Sequence, residues 1–248
     1  MKIAVCVSHV PDTTSKIMVG QDGRTIDPAG LTYVINPYDE FAVEEALKLR
    51  EKFTGEVTVI SIGKDAVKDS IKKAYAMGVD KGIWVKTADE LDSNATAALL
   101  VETLKGLSPD IILFGKQSID YDNSQVGILV AEMMGMPSVS VVTKLEINDN
   151  VVTCEREIEG GKEIVETKLP AVITAQKGLN EPRYPNLKGI MAAKSKPIQE
   201  ASASSAVTFT EVIKMKKPES KSKGRILGTD AAAVKELINA FHNEVKVI

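Results

Sequence analysis

The feature that most constrains this chain is an alternation of short apolar runs with longer amphipathic segments over roughly its first 140 residues. The runs are Ile3 to Val7, Val57 to Ile62, Gly82 to Val85 and Ile111 to Phe114. Runs that are apolar throughout are typical of parallel strands buried on both faces. Strand and helix in this rhythm predict an α/β fold: an open, mostly parallel, Rossmann-like sheet with helices on both faces.

The amphipathic segments carry recognisable helix ends. Asn36 followed by Pro37 predicts an N-cap and a first helical residue. Further helices are predicted from near Asp65 to Gly78, from Ser93 to Leu104, and from Asp122 or Asn123 to Gly135. Glycine just beyond a helix is a common terminator because it adopts left-handed backbone freely.

After residue 150 the pattern changes. A β-hairpin is predicted over Val151–Lys168, a buried strand over Ala171–Ala175, a short helix near Leu187–Lys194 and a last helix from Asp230 to about Asn243. Small polar residues at 201–206 are typical of a linker. We therefore divide the chain into an α/β domain, residues 1–198, and an extended C-terminal arm, residues 199–248. The arm is predicted to pack on another protein, because it offers little core of its own.

Composition excludes several classes of function. The chain has 31 basic and 34 acidic side chains, a net charge of −3 and only 4% aromatic residues, which argues against nucleic-acid binding. No apolar stretch approaches the roughly 18 residues that a membrane span needs. The N-terminal run is predicted to be a strand and not a signal peptide, so a cytoplasmic location is expected.

The scarcity of catalytic side chains excludes further chemistry. Two separate cysteines, Cys6 and Cys154, predict neither a disulfide framework nor a metal pair. With only His9 and His242 available, we expect no catalytic triad, no metal site and no conventional enzyme. Cys6 is interpreted as a strand residue at the ligand edge and not as a nucleophile.

Three polar turns should meet at the carboxyl edge of the sheet, where open parallel sheets bind ligands. They are Ser8 to Thr13, Ser61 to Lys64 and Gly115 to Gln125. The last turn leads into a predicted helix whose free N–H groups can bind a phosphate. Gly115 permits close approach, Lys116 adds positive charge, and Gln117 and Ser118 can donate hydrogen bonds.

The same turn contains two carboxylates that would repel a phosphate. Asp120 and Asp122 are therefore expected to cap the helix, to position the loop or to bind sugar hydroxyls. The turn is not a P-loop, since GxxxxGK[ST] is absent, and a capped helix without a ligand remains the alternative interpretation.

Several segments resemble the β subunit of electron-transfer flavoproteins. They are NPYDEFAVEEALKLRE, AYAMGVDKGI, GKQSIDYDNSQVG, CEREIEGGKEIVETKLPAVITA and LNEPRYPNLKGIMAAKSKPI, and the resemblance covers nearly the whole chain. It implies an adenine-nucleotide α-hydrolase-like fold. It also implies a heterodimer whose α subunit holds most of an FAD, and which carries electrons from acyl-CoA-type dehydrogenases of fatty acid oxidation to a quinone oxidoreductase or similar acceptor.

The resemblance further implies a structural AMP in this subunit. Carried over residue by residue, its contacts fall at Cys6, Asn36, Pro37, Tyr38, Asp39, Ile62, Gly115, Lys116, Gln117, Ser118, Ile119, Asp120, Tyr121, Asp122, Asn123, Ser124, Gln125 and Val126.

A dehydrogenase-recognition loop is implied at residues 183–194, with Leu187 as its anchor. An apolar group of Leu187, Ile190 and Met191 suits insertion into a partner pocket, with Lys194 and Lys196 at a charged rim. Arg183 and Tyr184 are expected to take part in the same contact.

Some residues depart from the AMP-binding branch. Ser8, His9 and Thr13 stand where that branch has Lys-Arg and a Tyr near the flavin, and Val126 replaces a Thr. HVPDT and SQVG resemble the electron-bifurcating branch, whose β subunit binds a second FAD, but Tyr121 and Ile128 differ from that branch. We favour AMP, with a second FAD as the alternative. A stand-alone nucleotide-sensing regulator is an alternative from another class.

Overall fold

The structure is a computed structural model that describes residues 1–88, 90–219 and 224–248. A nine-stranded sheet has the order β11-β5-β4-β1-β6-β10-β7-β8-β9. The strands are β1 Lys2–Cys6, β4 Glu56–Gly63, β5 Lys81–Lys86, β6 Ile111–Gly115, β7 Ser138–Asn148, β8 Val151–Ile158, β9 Gly161–Lys168, β10 Ala171–Ala175 and β11 Gln199–Ser202. Strands β8 and β9 are antiparallel to their neighbours, and the other pairings are parallel. A separate antiparallel pair is formed by β2 His9–Pro11 and β3 Tyr33–Ile35.

Six α-helices accompany the sheet in the described residues. They are α1 Pro37–Phe53, α2 Lys68–Met77, α3 Ser93–Leu107, α4 Val126–Met134, α5 Leu187–Ser195 and α6 Ala233–Asn239. A 3₁₀ turn at Asp65–Val67 precedes α2, and a π-helical segment at Ala240–Val245 follows α6. Helix α2 ends at Gly78, whose φ of 121° favours glycine.

Helices cover both faces of the parallel strands, as the sequence predicts. On one face Val5, Val59 and Leu113 pack with residues of α1 and α2. On the other face Ala4, Ile60 and Ile112 pack with residues of α3 and α4. Because alternate strand residues point to opposite faces, a run that is apolar throughout fills both cores. The predicted fold class is confirmed.

Three local predictions differ from the structure. The helix expected from Asp122 or Asn123 begins at Val126, because Asp122 and Ser124 have positive φ values of 53° and 54° and cannot continue a right-handed helix. The side chain of Asn36 does not cap α1 but reaches a neighbouring loop. The long strand β7 was not predicted, since its partly exposed residues lack a uniform apolar run.

The arm begins as part of the sheet. Gln199–Ser202 pairs with Ile83–Lys86 at the edge of β5, so the first residues of the predicted linker are a strand. The predicted last helix begins three residues later than expected, at Ala233, and its second half, Ala240–Val245, is π-helical. The division at residue 198 stays a prediction about which segments pack on a partner.

Candidate functional site

The sheet topology places the predicted ligand loops together. Strand β1 lies between β4 and β6, and all three run parallel, so their carboxyl ends lie at one edge. The chain builds β4 and β5 on one side of β1 and then crosses through α3 to β6 on the other side. This reversal of strand order is where open α/β sheets form a ligand crevice.

Two fully buried polar side chains tie this edge together. Asp39 Oδ2 accepts from the backbone N–H of Ser8 at 2.7 Å, and Asp39 Oδ1 accepts from Gly115 N–H at 2.9 Å. Asn36 Nδ2 donates to the carbonyl of Gln117 at 2.8 Å, and its Oδ1 accepts from Ile119 N–H at 3.2 Å. The start of α1 therefore fixes the loops that follow both β1 and β6.

Burial dominates the acidity of Asp39. Desolvation raises the pKa of this carboxyl from 3.8 to about 7, while the bonds from Ser8 and Gly115 act in the opposite direction. The carboxyl therefore titrates near neutral pH inside the joint that it forms. This joint was not predicted, since in sequence Asp39 has the pattern of an acidic residue in the first turn of a helix.

Close packing explains the glycine at the end of β6. A Cβ on Gly115 would lie 2.7 Å from the carbonyl carbon of Tyr38, so a larger residue would push the loop away from α1. Lys116 Nζ lies 4.9 Å from the centre of the Tyr38 ring, a cation–π contact. Pro37, at the first position of α1, is exposed beside them.

The loop from Gln117 to Gln125 is held by its own side chains. Gln117 donates to Asp122 and accepts from the Ser124 hydroxyl at 3.0 Å. Asp120 accepts from the N–H of Tyr121, and Ser118 accepts through its carbonyl from Asp122 N–H. Asp122 therefore helps to hold the loop, which is one of the three roles expected for it. The expected capping role of Asp120 and Asp122 is wrong, because α4 begins four residues after Asp122.

The beginning of α4 has the donor set that a phosphate needs. None of the described side chains caps it, and its first turn contains no acidic residue. The first N–H groups of a helix lack internal partners and carry partial positive charge. Val126 is half-buried and Gln125 is exposed, so the start of α4 lies at the protein surface.

Other predicted contacts lie around this loop. Cys6 is buried in β1, and burial raises the pKa of its thiol, so it is not poised as a nucleophile. Ile62 packs against the same core as Cys6 at the end of β4. His9 stacks on Tyr33 with ring centres 5.0 Å apart and bonds Ser70 Oγ at 2.9 Å, and burial lowers its pKa.

A cavity of about 580 Å³ adjoins the loop on the α3 side. Its walls come from the starts of α3 and α4 and from the arm: Asp92, Ser93, Asn94, Asn123, Ser124, Gln125, Ile128, Leu129, Phe209 and Thr210. Asp92 caps α3 through Ala95 N–H and also accepts the N–H groups of Phe209 and Thr210. The sequence predicts this helix start but not the arm beside it.

The predicted recognition loop forms a short helix with an exposed apolar side. Leu187 is 76% exposed, Met191 60% and Ile190 42%. Tyr184, just before the helix, is 94% exposed. Large apolar side chains this exposed indicate an interaction surface. Lys194 is exposed on the same helix, as expected for a charged rim.

Two cations assigned to this surface face the protein instead. Arg183 bonds Glu44 and Glu51 of α1. Lys196 donates to the carbonyl of Val79 at 2.7 Å and lies over the Tyr75 ring, so its predicted place on a free charged rim is wrong.

Among the described residues, no helix is long and apolar enough to cross a membrane. No group of three or more His, Cys, Asp and Glu side chains in that part of the chain could hold a metal ion.

A parallel sheet with a switch point beside β1 and helices on both faces defines an open, doubly wound α/β protein. Residues 24–206 match the family model described as the electron transfer flavoprotein domain. The electron transfer flavoprotein subunit beta of Syntrophomonas wolfei is 43% identical over 249 residues, covering 100% of this chain and 98% of that protein. Those of Bacillus subtilis and Methylophilus methylotrophus are 37% and 34% identical, each over at least 97% of both chains. This chain belongs to the electron transfer flavoprotein β-subunit family.

Proposed function

We propose that this chain is the β subunit of a heterodimeric electron carrier. With an α subunit that holds most of an FAD, it would accept electrons from acyl-CoA-type dehydrogenases and pass them to a quinone oxidoreductase or similar acceptor. The observation that carries the proposal is the joint at the carboxyl edge. There, buried Asn36 and Asp39 fix the loop that opens onto the uncapped start of α4.

This loop fits an adenine nucleotide, and we propose a structural AMP. The N–H groups at Val126 and the following residues would bind the phosphate. The Ser118 hydroxyl would add a hydrogen bond beside them. Asp120 and Asp122 are exposed, which suits ribose hydroxyls better than phosphate oxygens. Tyr38 and Ile62 would border the base from α1 and β4.

The redox chemistry would come from the FAD, which supplies the group that accepts and releases electrons. The role of this chain would be to hold the nucleotide, to carry the arm that packs on the α subunit, and to present α5 to dehydrogenases. The arm suits a permanent contact, since Phe209, Ile213 and Ile226 are 74%, 71% and 86% exposed in the single chain.

A charge placed at the start of α4 tests nucleotide binding. We expect Gln125→Glu to reduce the AMP content of the purified heterodimer severalfold. A carboxylate at that position repels a phosphate, while it favours the helix dipole and so preserves folding. Gln21→Glu is the matched control, because Gln21 is also an exposed glutamine and is far from Gln125 in the sequence. AMP content that stays at the wild-type level in Gln125→Glu would show that the phosphate does not bind there.

The departures at Ser8, His9 and Thr13 favour one other candidate, a bifurcating carrier with a second FAD in this subunit. The two candidates differ in the nucleotide released on denaturation. Two FAD per heterodimer without AMP would establish the second candidate.

A further inference from the structure

Helix α5 is attached to the domain at three places. In its first turn, a Cβ on Gly189 would lie 2.5 Å from the carbonyl oxygen of Ala76, so the helix lies directly against the end of α2. At its C-terminal end, Lys196 bonds Val79, and the Tyr75 hydroxyl donates to the carbonyl of Pro197 at 2.6 Å. The third attachment precedes the helix and is made by Arg183.

The geometry of Arg183 is that of a bidentate clamp. Nε and Nη2 donate to the two carboxylate oxygens of Glu44 at 2.8 and 2.9 Å. Nη1 donates to Glu51 at 2.7 Å, and the backbone N–H of Arg183 also bonds Glu44 at 3.1 Å. Glu44 and Glu51 lie seven residues apart on α1 and therefore share one face. A planar guanidinium can bridge them, whereas the point charge of a lysine cannot.

This clamp is buried at Glu44 and exposed at Glu51. The Glu44 side chain is 7% exposed and that of Arg183 is 35% exposed. Asn180 adds a second tie, since its Nδ2 donates to the carbonyl of Phe41 at 3.0 Å and to Glu45 at 2.8 Å. Residues 180–183 thus leave the sheet along a fixed path over α1, and the exposed side chains of Tyr184 and Leu187 follow directly.

The charge of Arg183 is not available to a partner, because two carboxylates of its own chain neutralise it. An arginine that touched an acidic partner would need at least one of these carboxylates to release it. The guanidinium faces α1 of its own domain, and this direction indicates an indirect role.

We propose that Arg183 is a positioning residue: by clamping Glu44 and Glu51 it sets the orientation in which Leu187 and Met191 meet the dehydrogenase, and it does not itself contact the partner. This inference rests on the proposed docking function of α5. It changes the role of Arg183 from contact residue to support.

The test is a double-mutant cycle in the purified α/β heterodimer, with one acyl-CoA dehydrogenase that reduces the wild-type flavin as electron donor. Arg183→Lys is expected to raise the KM for the heterodimer roughly tenfold, because a misplaced anchor weakens docking. The value of kcat, the FAD content and the α-subunit contact should stay unchanged. Leu187→Ala should give a similar or larger rise in KM.

The double variant separates positioning from contact. If Arg183 acts through the placement of Leu187, its substitution adds less than about twofold in the Leu187→Ala background. If Arg183 contacts the dehydrogenase independently, the two effects multiply, and the proposal is overturned. An unchanged KM in Arg183→Lys also overturns it. If Leu187→Ala leaves KM unchanged, the docking function itself fails, and the inference fails with it.

Two further variants separate the loss of the clamp from general damage to the fold. Glu51→Gln weakens the clamp at its exposed carboxylate, 52% exposed, and should raise KM by a smaller factor than Arg183→Lys. Arg156→Lys alters an arginine of matching exposure, 32%, which pairs with Glu163 in the hairpin, and should leave KM unchanged. Amide hydrogen exchange over residues 184–195 should be faster in Arg183→Lys than in wild type and unaltered in Arg156→Lys. Equal exchange in both would contradict the proposal.

Discussion

Helices α5 and α6 both present apolar side chains to solvent, but they are held very differently. Helix α5 buries Ala193, is capped by the Asn186 side chain at 2.7 Å from Gly189 N–H, and is attached at three places. Helix α6 has no buried residue, and only Ala240 just beyond it is buried, although the Asp230 carboxylate accepts from the N–H groups of Ala232 and Ala233 at its start. The apolar surface of α5 is held in place by its own chain, whereas that of α6 has little of its own chain packed against it.

This difference indicates which kind of contact each surface suits. A surface whose orientation is fixed in advance loses little conformational freedom on binding, which suits repeated, short-lived contacts. A helix that buries nothing needs a partner to cover it, which suits a permanent subunit interface. The comparison therefore fits the proposed function, in which α5 makes a transient docking contact and the arm makes the subunit contact.

Deletion of residues 206–248 should have the largest effect on this comparison. We expect loss of the heterodimer, with an affinity for the α subunit lowered by roughly a thousandfold or more, because the exposed apolar residues of the arm are removed together. Native mass spectrometry of the co-expressed subunits measures this. A retained heterodimer would show that the arm is not the assembly surface.

Asp39→Asn should destabilise the joint between α1 and the loops that follow β1 and β6, and it should leave the arm unaffected. The amide nitrogen cannot accept from the N–H of Ser8 or Gly115, whereas either oxygen of the protonated carboxyl can, so we expect a cost of about 1–3 kcal/mol in the free energy of unfolding at pH 5. Urea denaturation measures the change, and an unaltered midpoint would contradict the role of the joint.

The same variant has a defined pH dependence. The pKa of Asp39 is raised to about 7, so between about pH 4 and 7 the folded protein binds more protons than the unfolded chain. The stabilising contribution of Asp39 therefore falls as pH rises through this window. The difference in stability between wild type and Asp39→Asn should shrink from pH 4 to pH 7 and then level off. A difference in stability that grows with pH would show that folding lowers the pKa of Asp39 and does not raise it.

Gly189→Ala should loosen α5 without unfolding the domain. The added Cβ meets the Ala76 carbonyl, so the helix must move outward, at a cost of about 1 kcal/mol. Differential scanning calorimetry gives the stability, and stopped-flow reduction by an acyl-CoA dehydrogenase should be slower. Gly106→Ala is the matched control, since nothing lies within 4 Å of a Cβ there.

Leu187→Ala should give the smallest change in stability and still slow electron transfer. With the side chain 76% exposed, the free energy of unfolding should change by less than about 0.5 kcal/mol. Bound FAD should be retained, while the rate of transfer from a dehydrogenase falls. Unchanged transfer rates would show that Leu187 is not the anchor.

Sequence patterns predicted what depends on local periodicity. The apolar runs of β1, β4, β5 and β6 were predicted correctly, because burial on both faces leaves a continuous apolar signature. The start of α1 at Pro37 and the end of α2 at Gly78 were also predicted correctly. Strand β7 was missed because its residues alternate irregularly between exposed and buried.

Contacts between segments that are distant in the sequence could not be predicted from local patterns. Asn36 is a good N-cap in sequence, yet its side chain serves residues more than 80 positions away, at Gln117 and Ile119. Asp122 and Ser124 likewise look like a helix start, but their left-handed backbone depends on the bonds to Gln117. Lys196 and Arg183 look like rim charges until the fold brings Val79 and Glu44 beside them.

The most direct test of the central claim is the nucleotide content of the purified α/β heterodimer, released by denaturation and quantified by chromatography and mass spectrometry. We expect one FAD and one AMP per heterodimer, with the AMP lost in Gln125→Glu. Two FAD without AMP, or no nucleotide beyond the single FAD, would contradict the proposal that this subunit holds a structural AMP at the start of α4.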